Sequence, residues 1–495
     1  MFTTNRDIIY PLKRGDQMNT HSIQAIQKDL TSHKITSKDL ITFYLKRIAT
    51  YDDSLNSLAD LNHEAYALAE YLDKERKETG PRSLLYGIPI VVKDNILTKD
   101  TMRTTANAYA LRDFYAPFDA TIIKKLRDAG AIILAKANCS EFAYFMSMGA
   151  MPSGYGSLHG QVKHPYNTDI DPLGSSTGSA VAVAANLAPI SIGTETNGSL
   201  MSPAQQNSVV SVKPTLGLVS RHGIIPVSSL QDTAGPMSKN VKDSAIVLDI
   251  IKGPDPLDIT TQSQPELPSY TDACDAPINK LRIGLLRFTN YENGQEDETI
   301  LKEAKHHLQN NGATVIDIEF TYDLISNLKT LTPEFKRDIN AFFASVIPHC
   351  AITSLKELID FNTQHAHRAL RYGQTIFNQA ETTDGRLKDA TYLESRTSLL
   401  KSIEAFKSLY KKHNLDAIMT TKITGYPPIG GLPSIIIPAK PLKDQSPKSL
   451  LFIGEAYQEH TLFSLAYTYE QATKHRIDPS LKMHKKYSVP RKEKQ

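Results

Sequence analysis

Two serine-bearing loops and one lysine are the parts of this chain whose residue types could do nucleophilic chemistry. Residues 173–211 hold two loops of small polar residues around an Ala/Val run and a short apolar strand. The first loop, L-G-S-S-T-G-S, offers Ser175 and Ser176; the second, G-T-E-T-N-G-S, ends on Ser199. Small residues let a backbone approach a substrate closely, and exposed N–H groups in such a loop can hold an oxyanion. Upstream, G-I-P-I-V-V-K-D-N-I ends an apolar strand on Lys93. Spacing alone leaves that lysine two readings. It reaches solvent past the strand end, or it is a desolvated base whose proton affinity burial lowers.

Other arrangements for the same chemistry are poorly served. No local Ser-His-Asp set occurs among the fifteen scattered histidines. G-S-S-T-G at 174–178 fits the G-x-S-x-G nucleophile elbow with Ser176 at its centre, but an elbow must follow a strand directly. The segment before it, H-P-Y-N-T-D-I-D-P-L, holds two prolines and reads as loop. No G-x-x-x-x-G-K-[ST] run is present to cradle phosphate. His365 and His367 stand two apart on a helical segment and face different ways, so no metal site is expected there, and no cofactor elsewhere.

These groups need elements to hold them. Thr36 is placed to cap a helix with Leu40, Tyr44 and Ile48 on one face, and Asn62 one with Ala65, Leu68, Ala69 and Leu72, stopped by Gly80-Pro81. Ile88–Val92 reads as a strand, with Pro89 at its start or at a sheet edge. Asp119 is placed to cap a helix carrying Ile122, Ile123 and Leu126, which Gly130 ends before a strand over 131–134. A helix is expected to start at Pro203, another over 242–251, and strands at 281–288 and 313–320 with a polar helix between. Alternating helices and strands indicate an α/β layer architecture.

Taken together, the lysine after I-P-I-V-V, the L-G-S-S-T-G-S loop and G-T-E-T-N-G-S-L-M-S-P-A resemble the amidase signature family, whose usual form is roughly G-G-S-S-G-G-S followed by G-T-D-T-G-G-S-I-R-x-P-A. Further matches are A-K-A-N-C-S-E-F-A at 135–143 and S-R-H-G-I-I-P-V-S-S-L-Q-D-T-A-G-P-M at 220–237. E-F-K-R-D-I-N-A-F at 334–342 and Y-G-Q-T-I-F-N-Q-A at 372–380 are closest to the peptide-amidase-like members. The likeness spans residues 20 to 475. It implies one α/β domain with a mixed, twisted central sheet covered by helices on both sides. It also implies amide hydrolysis through a Ser-Ser-Lys triad and an acyl-enzyme: Lys93 as base, Ser175 as the bridging serine that usually follows a cis peptide bond, and Ser199 as nucleophile. The N–H groups of Thr196, Asn197, Gly198 and Ser199 would form the oxyanion hole. Asn197 stands where the family has glycine or aspartate, so a positive φ is expected for it.

The resemblance implies a small-molecule amide or short peptide amide as substrate, with C-terminal peptide amides among the candidates, and is compatible with a homodimer. Two other readings stay open: a glutamine-hydrolysing subunit of an amidotransferase complex, and a catalytically silent binding protein of the same fold. The chain departs from the family at Leu173, Ser208 and Ser211, where glycines are usual, at Thr177, and at Met201, where arginine is usual. An apolar residue at 201 weakens the case for substrates with a carboxylate near the scissile bond, and for the tRNA-linked subunit.

Composition narrows the setting. The chain has 495 residues, 40% apolar and 22% charged, with net charge +3, and no nucleic-acid partner is indicated. The three cysteines, Cys139, Cys274 and Cys350, form no C-x-x-C pair and fit a reducing compartment. No apolar run approaches the length of a membrane span, and the N-terminus lacks a signal-peptide core, so a cytoplasmic enzyme without membrane contact is expected. Residues 1–18 read as an extension with Met18 as an alternative start. Residues 19–480 read as the domain, with 260–410 as its variable, pocket-shaping part, and 481–495 as a basic, disordered tail.

Overall fold

A computed structural model describes residues 18, 22–290, 296–324, 326–439 and 447–481. The expected N-terminal extension, Met18 apart, and the basic tail after residue 481 lie outside the described residues. The strands are β1 (Leu58–Leu61), β2 (Pro89–Lys93), β3 (Ile132–Ala137), β4 (Tyr155–Gly156), β5 (Gly160–Gln161), β6 (Ile190–Glu195), β7 (Val210–Lys213), β8 (Thr233–Ser238), β9 (Arg282–Thr289), β10 (Thr314–Thr321), β11 (Ala417–Thr420), β12 (Ser434–Ala439) and β13 (Lys448–Ile453). All but the β4–β5 pair join one sheet in the order β1-β3-β2-β6-β8-β7-β12-β13-β11-β9-β10. The pairs β3–β2, β2–β6, β11–β9 and β9–β10 are parallel and the others antiparallel, so the sheet is mixed, as the resemblance implies.

Strand periodicity explains why the sheet is covered on both faces. Successive side chains point to opposite sides, and Ile90 and Val92 enter one apolar cluster while Val91 enters another. At β12, Ile435 and Ile437 join the first cluster and Ile436 a third. One face of the β2–β6 region therefore packs against helices Thr121–Asp128 and Val241–Ile251, and the other against Ser37–Leu55 and Thr177–Ala184. A strand buried on both sides carries few polar residues unless they are bonded: β2 and β3 read as apolar runs up to Lys93 and Lys136, and in β6 the buried Ser191 hydroxyl donates to the Ser179 carbonyl at 2.8 Å.

Most of the expected elements appear where the pattern puts them, and the exceptions have local causes. Thr36 caps its helix with a full capping box to Asp39. Asn62 is not the cap but stands two residues before the N-cap Glu64: its Oδ1 accepts from the Glu64 N–H at 2.9 Å, and the helix begins at Ala65. Asp119 does not cap the helix Thr121–Asp128; its carboxylate accepts from the Lys99 N–H and pairs with Arg127. Pro89 is at a strand start but not at an edge, since β2 lies between β3 and β6. The helix expected from Pro203 runs Met201–Gln206, because the Glu195 carboxylate takes the Leu200 and Met201 N–H groups and satisfies the first turn from outside.

Candidate active site

Lys93 closes β2 and is fully buried. Its Nζ donates to Ser175 Oγ at 2.8 Å and to Thr194 Oγ1 at 2.8 Å, with the Thr194 carbonyl at 3.4 Å. Thr194 lies on the neighbouring β6, so the parallel β2–β6 pairing sets this contact. Burial lowers the Lys93 amine to about 8, against the opposing pull of Cys139, Asp232 and Glu195. Lys136 and Lys213 are equally buried and equally lowered to about 8. Their partners differ: Lys136 bonds Thr104 Oγ1 and the Ile96 carbonyl, and Lys213 the Pro214 carbonyl. Among the described residues Lys93 alone of the three touches a serine hydroxyl, so geometry and not the depressed proton affinity singles it out.

Ser175 sits immediately before the helix Thr177–Ala184, after a cis Gly174–Ser175 peptide. The helix start docks where no side chain fits. A Cβ on Gly178 would lie 2.2 Å from the Ser57 carbonyl oxygen and 2.4 Å from that of Asn138. The Gly178 N–H donates to Asn138 O at 2.8 Å, and the Ser175 carbonyl accepts from the Ser140 N–H at 3.2 Å. This close approach brings Ser175 over the end of β2. Ser176 is turned the other way. It is fully buried, donating to the Thr194 carbonyl at 2.9 Å and accepting from the Thr194 N–H at 3.1 Å. No strand precedes Gly174. Ser176 is thus a fastener between loop and strand, and the elbow geometry is absent.

Ser199 is 9% exposed, and its carbonyl accepts from the Ser176 N–H at 3.2 Å, which joins the two serine loops. Glu195 Oε2 holds the far side of the turn through the Leu200 and Met201 N–H groups, at 2.8 and 3.1 Å. Among the described residues, the N–H groups of Asn197, Gly198 and Ser199 donate no hydrogen bond within the protein. The positive φ expected of Asn197 is found at Gly198, at +85°, and Asn197 is an exposed residue of ordinary φ. One left-handed residue suffices to turn the chain, and glycine takes that conformation without the Cβ penalty. Thr196 is half-buried and donates to Asp232 Oδ1 at 2.5 Å.

Met201 is buried in the third apolar cluster, with its sulfur 3.6 Å from Ser434 Oγ, and presents no charge to a substrate. Two of the departures from family glycine, Leu173 and Ser208, adopt φ of +54° and +53° and so occupy glycine-like backbone positions. His365 ends the helix Leu355–Gln364, and no metal-holding cluster of His, Cys, Asp or Glu occurs among the described residues.

A cavity of 310 Å³ opens beside the start of the 196–199 loop, walled by Asn95, Thr194, Thr196 and Asp232 and, from the helix Leu328–Val346, by Asp338 and Phe342. Sequence reasoning assigned no role to Thr194 or Asp232. Both lie in segments whose likeness was visible, G-T-E-T-N-G-S and S-L-Q-D-T-A-G-P-M, but only the strand pairing shows Thr194 sharing the Lys93 amine.

The family model described as Amidase matches residues 39–463. A probable amidase of Arabidopsis thaliana is 34% identical over 471 residues, covering 92% of this chain and 91% of that protein. A glutamyl-tRNA(Gln) amidotransferase subunit of Alkaliphilus metalliredigens is 31% identical over 483 residues, covering 91% and 96%. Among solved structures, native peptide amidase from Stenotrophomonas maltophilia superposes with a TM-score of 0.86 at 35% identity, covering 93% of this chain and 99% of that one. The chain belongs to the amidase family and is an amide-hydrolysing enzyme.

Proposed function

We propose that this enzyme hydrolyses neutral carboxylic amides, C-terminal peptide amides among them, through Lys93, Ser175 and Ser199 and an acyl-enzyme. The observation that carries the reading is the 2.8 Å contact between Lys93 Nζ and Ser175 Oγ in a fully buried setting. In the neutral amine the lone pair faces that hydroxyl, and the same contact runs with Ser175 donating. Lys93 takes the Ser175 proton as Ser175 takes that of Ser199, and Ser199 Oγ bonds to the carbonyl carbon. The carbonyl π pair moves to oxygen, where the N–H groups of Thr196, Asn197, Gly198 and Ser199 hold the charge. The C–N bond then breaks, Ser175 gives its proton to the leaving nitrogen, and Lys93 returns one to Ser175. Water repeats the sequence on the ester, releasing the carboxylic acid and restoring Ser199.

Residues 19–480 form the catalytic unit in this reading, with 260–410 shaping the pocket through the helix Leu328–Val346. Three unpaired, buried cysteines suit a reducing, cytoplasmic setting. Intact-mass analysis after a fluorophosphonate, with peptide mapping, tests the assignment: one adduct on Ser199 is expected, and an adduct on Ser175 or Ser176 overturns it. The likeness to amidotransferase subunits favours a second reading, a glutamine-hydrolysing subunit. Turnover of dipeptide amides by the isolated chain argues against that reading. Turnover of glutamine only in a complex with a second subunit supports it.

A further inference from the structure

We propose that Asp232 is a positioning residue for the nucleophile loop, fixing Thr196 and coupling that loop to the helix that walls the cavity. The inference rests on the amide-hydrolase reading of the same site. Thr196 is gripped at two points by one short segment. Its hydroxyl donates to Asp232 Oδ1 at 2.5 Å, and its carbonyl accepts from Gln231 Nε2 at 3.1 Å. The other Asp232 oxygen accepts from the N–H groups of Val227 and Ser228, at 2.7 and 2.9 Å. Asp232 is 8% exposed and has no ion-pair partner among the described residues. A carboxylate buried without a cation is costly unless its oxygens are all bonded. Here every donor comes from Thr196 or from residues 227–228.

The same segment is fastened to the cavity wall. Ser228 Oγ donates to Glu334 Oε2 at 2.5 Å, the Ser229 N–H to Asp338 Oδ2 at 2.6 Å, and Asn327 Nδ2 to Gln231 Oε1 at 3.3 Å. Glu334 and Asp338 lie on the helix Leu328–Val346, and Asn327 is its N-cap. Thr196, Asp232 and Asp338 line one cavity. A wall that shifts on substrate binding therefore pulls on the segment that holds Thr196. Transition-state donors act well only when they need no reorganisation, so slack at Thr196 costs turnover more than binding.

The charged groups around Asp232 give a second readout. Lys93 approaches from β2, and Arg221, itself paired with Asp258, from the same loop as Asp232. Glu195 on β6 and Glu334 and Asp338 on the helix supply the remaining charges. The Asp232 charge raises the proton affinity of Lys93 against the effect of burial. Removing that charge while keeping the side-chain volume moves the alkaline rise in kcat to lower pH, which a purely structural role would not do.

The test compares kcat, KM and pH profiles of wild type, Asp232→Asn, Thr196→Val, Thr196→Ser and the Asp232→Asn/Thr196→Val double variant on a dipeptide amide. The expected result is a loss in kcat of about 10- to 100-fold in each of Asp232→Asn and Thr196→Val with KM little changed. Thr196→Ser keeps the hydroxyl, and its kcat should exceed that of Thr196→Val by about 10-fold or more. The double variant should lose no more than either single one, since both remove the same tie. The pH at half-maximal kcat should fall in Asp232→Asn. Wild-type kcat in either single variant, multiplicative losses in the double, or an unmoved pH profile in Asp232→Asn overturns the proposal. Should Asp232→Asn fail to fold, Thr196→Val carries the test, and wild-type kcat there overturns it. A wild-type chain that forms no Ser199 adduct and hydrolyses no amide removes the functional reading and this inference together. An active, labelled wild type with an indifferent Asp232→Asn removes this inference alone.

Discussion

If Lys93 works as a neutral base, turnover must follow its titration. The amine is shifted from an ordinary 10.5 to about 8 by burial beneath the two serine loops. At pH 7 that leaves about 9% of it neutral, against about 0.03% for an unperturbed lysine, a gain of some 300-fold in active base. The neutral fraction is about 1% at pH 6 and about 90% at pH 9, so kcat should climb about 90-fold between them and level off above. The sign is set by the direction of the shift, since lowering the folded-state value makes the folded chain bind fewer protons than the unfolded one between about pH 8 and 10.4. Wild-type stability should therefore gain on that of Lys93→Met as pH rises through this window. Initial rates on a dipeptide amide from pH 6 to 9.5, beside urea unfolding of both proteins, measure the two effects. A kcat that is flat or falling over pH 6–9, or a Lys93→Met variant within tenfold of wild type, refutes the reasoning.

The other expectations concern the loops. Ser176→Ala should still give its fluorophosphonate adduct on Ser199, while losing about 1–3 kcal/mol of stability because the buried Thr194 N–H loses its side-chain acceptor and the Thr194 carbonyl the shorter of its two side-chain donors; an unchanged unfolding midpoint would contradict the fastener role. Leu173→Gly relieves a leucine at φ +54°, worth about 1–2 kcal/mol, against about 0.5–1 kcal/mol of added chain entropy, so Tm should hold or rise slightly, and a clear fall counts against strain there. Gly198→Ala puts a side chain at φ +85° with its Cβ 3.2 Å from Ser202 Oγ; kcat should fall about tenfold or more at an intact far-ultraviolet circular dichroism spectrum. Gly178→Ala drives a Cβ to 2.2 Å from the Ser57 carbonyl oxygen and should cost about 2 kcal/mol or more in chemical denaturation, with wild-type stability showing that the helix docks less closely than described.

Much of this protein was decided by local chemistry that a sequence displays. The apolar runs of β2 and β3, the Thr36 cap, the Gly80 and Gly130 stops and the β9–helix–β10 unit follow from side-chain period and backbone preference, which act over a few residues. The serines and the lysine were legible because their loops carry a long, ordered resemblance. Tertiary structure decided what each of them touches. Lys93, Lys136 and Lys213 all end up buried and all lose proton affinity, and only the parallel β2–β6 pairing and the docking of Gly178 put a serine hydroxyl against the first. Ser175 and Ser176 are adjacent and alike in type, and the loop leading into the helix Thr177–Ala184 sends one to Lys93 and the other to Thr194. The left-handed residue fell on Gly198 and not on Asn197 because the turn after β6 is set by Glu195 reaching forward to the Leu200 and Met201 N–H groups. Asp232 gained its place through a tie between segments 36 residues apart, a separation over which no local pattern reports.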